Sequence, residues 1–283
     1  MRIPAPLRRL ALATGRRLPP GAVRAINLAR GIDAARPVDL PPGRRVAVVA
    51  PHPDDELVGV GGTIAKHVAA GHQIRIVMVT SGEASASFLG QDLDTARAQR
   101  EDEAVAALEE VGIGADQVVF LRLAERDLSG GTHAGTAPVS GGTRAVAQHG
   151  QALSEVLASF GPDLVYCPSP ADGHSVHAAV ASLLAASLAG LSSVGHVALY
   201  EVMTPIYPTV VVDVTAHIEA KLAGLGHYAS ALASFDIVHA ARGLAAYRSV
   251  HAQHGRGYAE AFTLLRPAEL VDLARRVSQP DLD

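Results

Sequence analysis

One cysteine, no tryptophan and an aromatic share of 4% stand in a chain of 283 residues, and each scarcity removes something. Cys167 has no second thiol in the chain to pair with, which excludes an internal disulfide and fits a reducing compartment. Its surroundings, Asp163-Leu-Val-Tyr-Cys-Pro-Ser, read as a buried strand, so the thiol is expected to pack as a small apolar group and not to act as a nucleophile. Long hydrophobic runs are missing too. Ala178 to Leu191, rich in Ala, falls short of the roughly 18 residues that a bilayer span needs. The N-terminus carries Arg2, Arg8 and Arg9 without an uninterrupted apolar stretch and a small-residue cleavage site, so no cleavable secretory signal is expected and the expected location is cytoplasmic. The chain has no recognised nucleic-acid-binding motif. Gly59-Val-Gly-Gly62 lacks the G-x-G-x-x-G spacing of a dinucleotide loop, and the acidic residues ahead of it repel phosphates.

What is present is an ordinary globular composition, 48% hydrophobic and 18% charged, enough for a substantial core. Charge is uneven. Residues 1–45 hold ten Arg against Asp33 and Asp39, a balance of +8, while the remainder holds 14 basic and 26 acidic residues, a balance of −12. Arg8, Arg9, Arg16, Arg17 and Arg24 lie among Leu, Ala and Val in a basic amphipathic segment. Interfacial helices usually carry Trp or Phe on their apolar face, and this segment has neither. It is therefore expected to dock on the acidic body of its own chain rather than to touch a membrane through residues 1–30. The expected division is a basic extension over 1–45, one domain over 46–270 and a tail over 271–283.

Beyond the Pro37 to Gly43 turn cluster, Val- and Ile-rich runs alternate with helix-patterned segments. Strands are expected over Val46 to Ala50, Ile74 to Thr80, Val118 to Leu123, Leu164 to Pro168 and Val197 to Val202, with Val210 to Val214 as a sixth. Helices are expected over Thr63 to Ala70, Asp94 to Val111, Gln148 to Ser159 and His177 to Leu188, and a final helical region over Arg242 to Leu265. The fold class is α/β, a Rossmann-like three-layer α/β/α arrangement with a mostly parallel sheet. Ser129 to Gly142, dense in Gly, Ser and Thr, reads as a loop, either a substrate-contacting lid or a surface excursion.

His52-Pro-Asp-Asp-Glu56 follows the first strand directly, and open α/β sheets place their ligand sites outside the carboxyl ends of the strands. A catalytic metal needs imidazole and carboxylate donors converging from separate segments. His52 and Asp55 supply two. His174 and His177, beyond the strand Leu164 to Pro168, share one side of a helix's first turn, where one can ligate while the other moves protons. Read alone, Asp-Asp-Glu is equally a helix N-cap, and His67, His72, His133, His149 and His196 read as surface or core residues.

With these residues in place, the sequence resembles the PIG-L/LmbE-like family of metal-dependent N-deacetylases, which act mainly on N-acetylglucosamine-containing compounds. The match runs through Pro51-His-Pro-Asp-Asp-Glu56, Gly61-Gly-Thr63, Val79-Thr-Ser-Gly-Glu83, Arg100-Glu-Asp-Glu-Ala104, the His174 and His177 pair and Gly257-Tyr-Ala-Glu-Ala-Phe262, most of residues 45–265. The resemblance implies that His52, Asp55 and His177 ligate Zn²⁺, with Fe²⁺ as the alternative metal. It further implies that Asp54 is the general base toward the metal-bound water, and that His174 stabilises the oxyanion or protonates the leaving amine. Arg100 and Asp127 match positions that contact the sugar in a member of this family. Glu56 is expected to orient a ligating histidine.

One departure stands out: the family's His-Pro-Asp-His pattern is His-Ser-Val-His here, so Val176 replaces an acidic residue, and Asp172 is the nearest substitute. The expected function is a metal-dependent hydrolase that removes an N-acetyl group from an amino-sugar conjugate. A metal-dependent amidase for a non-sugar acyl amine, and a sugar-binding or scaffold protein without turnover, are the alternatives.

Overall fold

Apolar runs covered on both faces become strands, and amphipathic runs become the helices that cover them. The computed structural model describes residues 35–128 and 142–278. In chain order the elements are β1 (Arg36–Val38), β2 (Arg45–Ala50), α1 (Asp55–Ala69), β3 (Gln73–Met78), α2 (Ala86–Leu89), α3 (Leu93–Glu109), β4 (Val118–Phe120), α4 (Glu125–Leu128), α5 (Gly142–Phe160), β5 (Leu164–Pro168), α6 (Ser175–Ser187), β6 (His196–Tyr200), β7 (Val210–Asp213), α7 (Ile218–Leu225), α8 (Ala229–Leu232), α9 (Ile237–Gln253), β8 (Ala259–Leu265) and α10 (Pro267–Ser278). They form one eight-stranded sheet in the order β1-β7-β8-β6-β5-β2-β3-β4. Only β8 runs against its neighbours, β6 and β7; all other pairings are parallel.

Alternation along β2 shows how the layers are built. Val46, Val48 and Ala50 enter one core with Leu57, Val60 and Ile64 of α1 and Leu108 of α3. Ala47 and Val49 enter the other with Leu153 and Leu157 of α5, Val180 and Leu184 of α6 and Leu270 of α10. The helices that follow the neighbouring strands β2 and β5 therefore leave for opposite faces. That divergence opens a crevice at the carboxyl ends of these two strands, the place where open α/β sheets bind ligands.

Several expectations need correction. A three-residue strand, β1, forms inside the expected turn cluster, so the sheet starts ahead of the boundary at 45. Helix α1 begins at Asp55, not near Thr63, because two adjacent acids favour the positive end of a helix. The region Arg242 to Leu265 is not all helical: α9 ends at Gln253 and Ala259–Leu265 is a strand. Helix α10 crosses the expected boundary at 270 and buries Leu270 and Ala274. The expected basic leader, up to residue 34, and the expected loop, over 129–141, lie outside the described residues. Among the described residues no helix is long and apolar enough to cross a membrane.

Candidate active site

Strand β2 ends at Ala50 and α1 starts at Asp55, so His52, Pro53 and Asp54 occupy a tight turn at the strand tip. Asp54 takes the N-cap position with φ 118° and ψ −34°, a conformation that costs a non-glycine residue about 1–3 kcal/mol. Its carbonyl accepts from Leu57 N (3.1 Å) and Val58 N (2.9 Å) as an N-cap should, but its carboxylate makes no cap bond. Instead Asp54 Oδ2 faces Arg100 Nη2 at 3.2 Å. Asp55 turns the other way: its Oδ2 accepts from His52 N at 3.0 Å and lies 3.1 Å from His52 Nδ1 and 3.2 Å from His177 Nε2. One strained turn thus sends two consecutive carboxylates to different partners.

The tip of β5 supplies the rest. Asp172 Oδ1 accepts from His174 N (2.9 Å) and meets His177 Nδ1 (3.1 Å), while Oδ2 accepts from Met203 N and Thr204 N (both 3.1 Å) in the segment after β6. Asp172 therefore holds His177 in the absence of an acid at 176. Val176 is buried in the apolar core, and His174 Nδ1 is buried without a hydrogen-bond partner among the described residues. The ring centroids lie 5.0 Å apart for His52 and His174, 4.5 Å for His174 and His177, and 5.3 Å for His52 and His177.

Charge follows this geometry. Burial works against the His52 and His177 imidazolium ions, yet the carboxylates beside them hold the two up to about 10 and about 9. Burial also works against the Asp55 carboxylate, but His177 and His52 keep it well below the usual range. Asp54 is pushed up by burial to about 6 against the pull of Arg100. His174 is lowered by burial and by the charges of His52 and His177.

Other residues fall where the sequence did not place them. Arg100, 5% exposed, gives its donors to the Pro53 carbonyl, Asp54 Oδ2 and Ser230 Oγ. Gly82, at φ +66°, is tied to that placement, since a Cβ there would stand 2.3 Å from Arg100 Nε. Asp127 is exposed. The acid of α4 that reaches the centre is Glu125, buried with Oε2 3.5 Å from His52 Nε2 and held below the usual range by His52 against the effect of burial. Glu56 does not touch a histidine in the way expected: its Oε1 accepts from the Tyr228 hydroxyl and its Oε2 from Asp54 N (3.0 Å). Nothing in the sequence spacing separates Glu125 from Asp127, and the Glu56–Tyr228 contact joins residues 172 positions apart.

These donors fit a divalent metal ion. The three imidazoles each offer a nitrogen within 4.8 Å of the others, Asp55 Oδ2 lies between two of them, and the second nitrogen of His177 is oriented by Asp172, as metal-binding histidines require. The carboxylates that raise His52 and His177 are also those that attract a cation, to which the two histidines would bind in their neutral form.

The chain is similar to curated enzymes named 1D-myo-inositol 2-acetamido-2-deoxy-alpha-D-glucopyranoside deacetylase. It is 38% identical over 78 residues to that of Mycobacterium avium (25% of this chain, 26% of that protein) and 37% over 78 residues to that of Streptomyces scabiei (25% and 24%). The chain matches only about a quarter of the length of these relatives. Among solved structures, a conserved protein of Thermus thermophilus is 25% identical with TM-score 0.62, covering 79% of this chain and 95% of that one. The N,N'-diacetylchitobiose deacetylase of Pyrococcus horikoshii (19%, TM-score 0.62, 89% and 95% covered) and the 4-carboxy-2-hydroxymuconate hydratase of Pseudomonas putida (20%, 0.63, 78% and 95%) share the fold. That one fold carries both a deacetylase and a hydratase leaves the reaction to be argued from the site. The model of the PIG-L family, described as GlcNAc-PI de-N-acetylase, matches residues 47–188, half of the chain and the half that holds His52, Asp54, Asp55, Asp172, His174 and His177, and the chain belongs to this family.

Proposed function

We propose that this protein is a zinc-dependent N-deacetylase that hydrolyses the acetamide of an N-acetylglucosamine-type conjugate, yielding acetate and the free amino sugar. The observation that carries the reading is the divergence of Asp54 and Asp55 at the tip of β2, one carboxylate toward two histidines and the other free of them. His52, Asp55 and His177 would hold the ion, which when bound lowers the pKa of a water and polarises the acetamide carbonyl. Imidazole and carboxylate donors also accept Fe²⁺. Asp54, pushed by burial up to about 6, is matched to taking a proton from the attacking water near neutral pH. His174, lowered below its ordinary value by burial, serves as a neutral N–H donor to the oxyanion, and the proton that Asp54 takes from the water is the one returned to the departing amine. Exposed Asp127 and the buried Glu125 two residues before it are the acceptors for sugar hydroxyls. Arg100 acts on Asp54 rather than on the sugar. The acetamido-sugar named in the curated relatives' activity supports the substrate class.

Metal content and acetate release from a panel of N-acetylglucosamine conjugates test this together. The purified protein is expected to hold one ion per chain and to release acetate. His177→Ala is expected to lose both, and Asp54→Asn to keep the ion while its rate falls on the order of 100-fold or more. Equal metal loss in both variants would sink the division of roles. Metal without acetate from any conjugate would favour an amidase for another acyl amine or a binding protein.

A further inference from the structure

The conformation of Asp54, φ 118°, persists only if neighbours hold it, and the residues that do so converge from one short stretch. Tyr228, wholly buried ahead of α8, donates its hydroxyl proton to Glu56 Oε1, and Glu56 Oε2 accepts the Asp54 N–H at 3.0 Å. Two residues on, Ser230 Oγ accepts from Arg100 Nη1 at 3.1 Å, and Arg100 Nη2 reaches the Pro53 carbonyl oxygen and, at 3.2 Å, Asp54 Oδ2. Glu103 closes the loop by accepting from Ser230 N (3.1 Å) and from the Ser230 hydroxyl. The 228–230 segment therefore grips Asp54 twice, by its N–H through Glu56 and by its carboxylate through Arg100.

We propose that Tyr228, through Glu56, and Ser230, through Arg100, are positioning residues that fix the Asp54 carboxylate relative to the ligands at His52, Asp55 and His177. The inference rests on Asp54 being the base of the deacetylase reading. Without the Glu56 bond, φ of Asp54 relaxes toward negative values, and the turn carries its carboxylate away from the place of the attacking water. A misplacement of about 1 Å costs a reaction on the order of 100-fold.

Three substitutions in the metal-loaded protein test it. Tyr228→Phe keeps the ring and removes one hydroxyl. Glu56→Gln keeps an oxygen for the Asp54 N–H and an amide for the Tyr228 oxygen, and Glu56→Ala removes both contacts. With an N-acetylglucosamine conjugate, Y228F is expected to lower kcat about tenfold and E56A about 100-fold, with KM within about twofold and metal content unchanged, while E56Q recovers most of kcat. Amide hydrogen exchange at Asp54 is expected to be slow in the wild type and in E56Q and faster in Y228F and E56A. A merely structural role lowers stability without separating kcat from KM or Gln from Ala. Wild-type kcat in both Y228F and E56A overturns the proposal, and so does unchanged exchange at Asp54. If the wild type releases no acetate from any conjugate, the deacetylase reading falls, and the exchange comparison alone decides whether the grip exists. Should E56A fail to fold, Y228F with E56Q carries the same test.

Discussion

Asp172 shows how much one side chain decides at this site. It is the fixed point between two loops, taking backbone N–H groups of Met203 and Thr204 with one oxygen and holding His177 with the other. Asp172→Ala is therefore expected to weaken metal binding about 10- to 100-fold, read by competition with a chelator. Asp172→Asn, which keeps an acceptor for His177 Nδ1, is expected to lose less, and equal losses would mean that charge rather than orientation matters. Returning an acid at 176 is no remedy, because Val176 packs with Val180 and Leu184 in the apolar core; Val176→Asp is expected to destabilise the fold by burying an unpaired charge. Cys167 bears out its sequence reading as a packed thiol. It is wholly buried, and burial pushes its thiol well above the ordinary value, so native protein at pH 8 is expected to resist alkylation and the unfolded chain to react.

Helix α1 carries Asp55 and Glu56 in its first turn, with Asp54 as its N-cap, and it is pinned further along by an ion pair. Glu260 on β8 accepts from Gly62 N (2.9 Å) and Thr63 N (2.7 Å), while Lys221 on α7 donates to Val58 O (2.8 Å) and Glu260 Oε1 (2.7 Å). Gly62 permits the close approach, since a Cβ there would lie 2.6 Å from Val214 Cβ. Lys221→Met leaves the buried Glu260 without its counter-charge and is expected to cost about 3–5 kcal/mol in urea unfolding, whereas replacing both partners by apolar residues costs much less. A loss under about 1 kcal/mol for the single variant would show that the Gly62 and Thr63 N–H groups hold Glu260 without Lys221. This pin also explains what the sequence withheld. Strands β2 and β5 were legible because both their faces are buried and their runs from Val46 and Leu164 are almost wholly apolar, and β3 because Ile74, Ile76, Val77 and Met78 are apolar residues around a single Arg75. β8 was not, because Glu260 interrupts an Ala-rich run with a charge whose partner lies 39 residues away. The start of α1 was legible only in the N-cap reading of Asp-Asp-Glu, because Gly59, Gly61 and Gly62 weaken the helical pattern ahead of Thr63. Glu125 and Asp127 share the four-residue helix α4, where no periodicity says which side faces inward.

At the scale of the whole molecule, α1 is tied to the sheet beneath it, and one tie is sensitive to acid. His67 in the last turn of α1 is fully buried between His72 and Tyr166 of β5, with Nδ1 2.8 Å from His72 Nδ1 and Nε2 2.9 Å from the Tyr166 hydroxyl oxygen. Burial, then the neighbouring His72, holds His67 down to about 3 from its ordinary 6.5. Between those values the unfolded chain takes up a proton that the folded chain refuses. The contribution of His67 is complete above about pH 6.5 and is lost as pH falls toward 3, at about 1.4 kcal/mol per pH unit for this one group. His67→Gln keeps a polar side chain and cannot titrate. Its unfolding free energy, measured by urea from pH 7 to pH 4, is expected to fall less steeply than that of the wild type, with the difference confined to the acid side. The same slope in both proteins would mean that His67 accepts its proton within the fold, by turning from Tyr166 and His72 toward water, and that α1 can lift from β5 without the molecule unfolding.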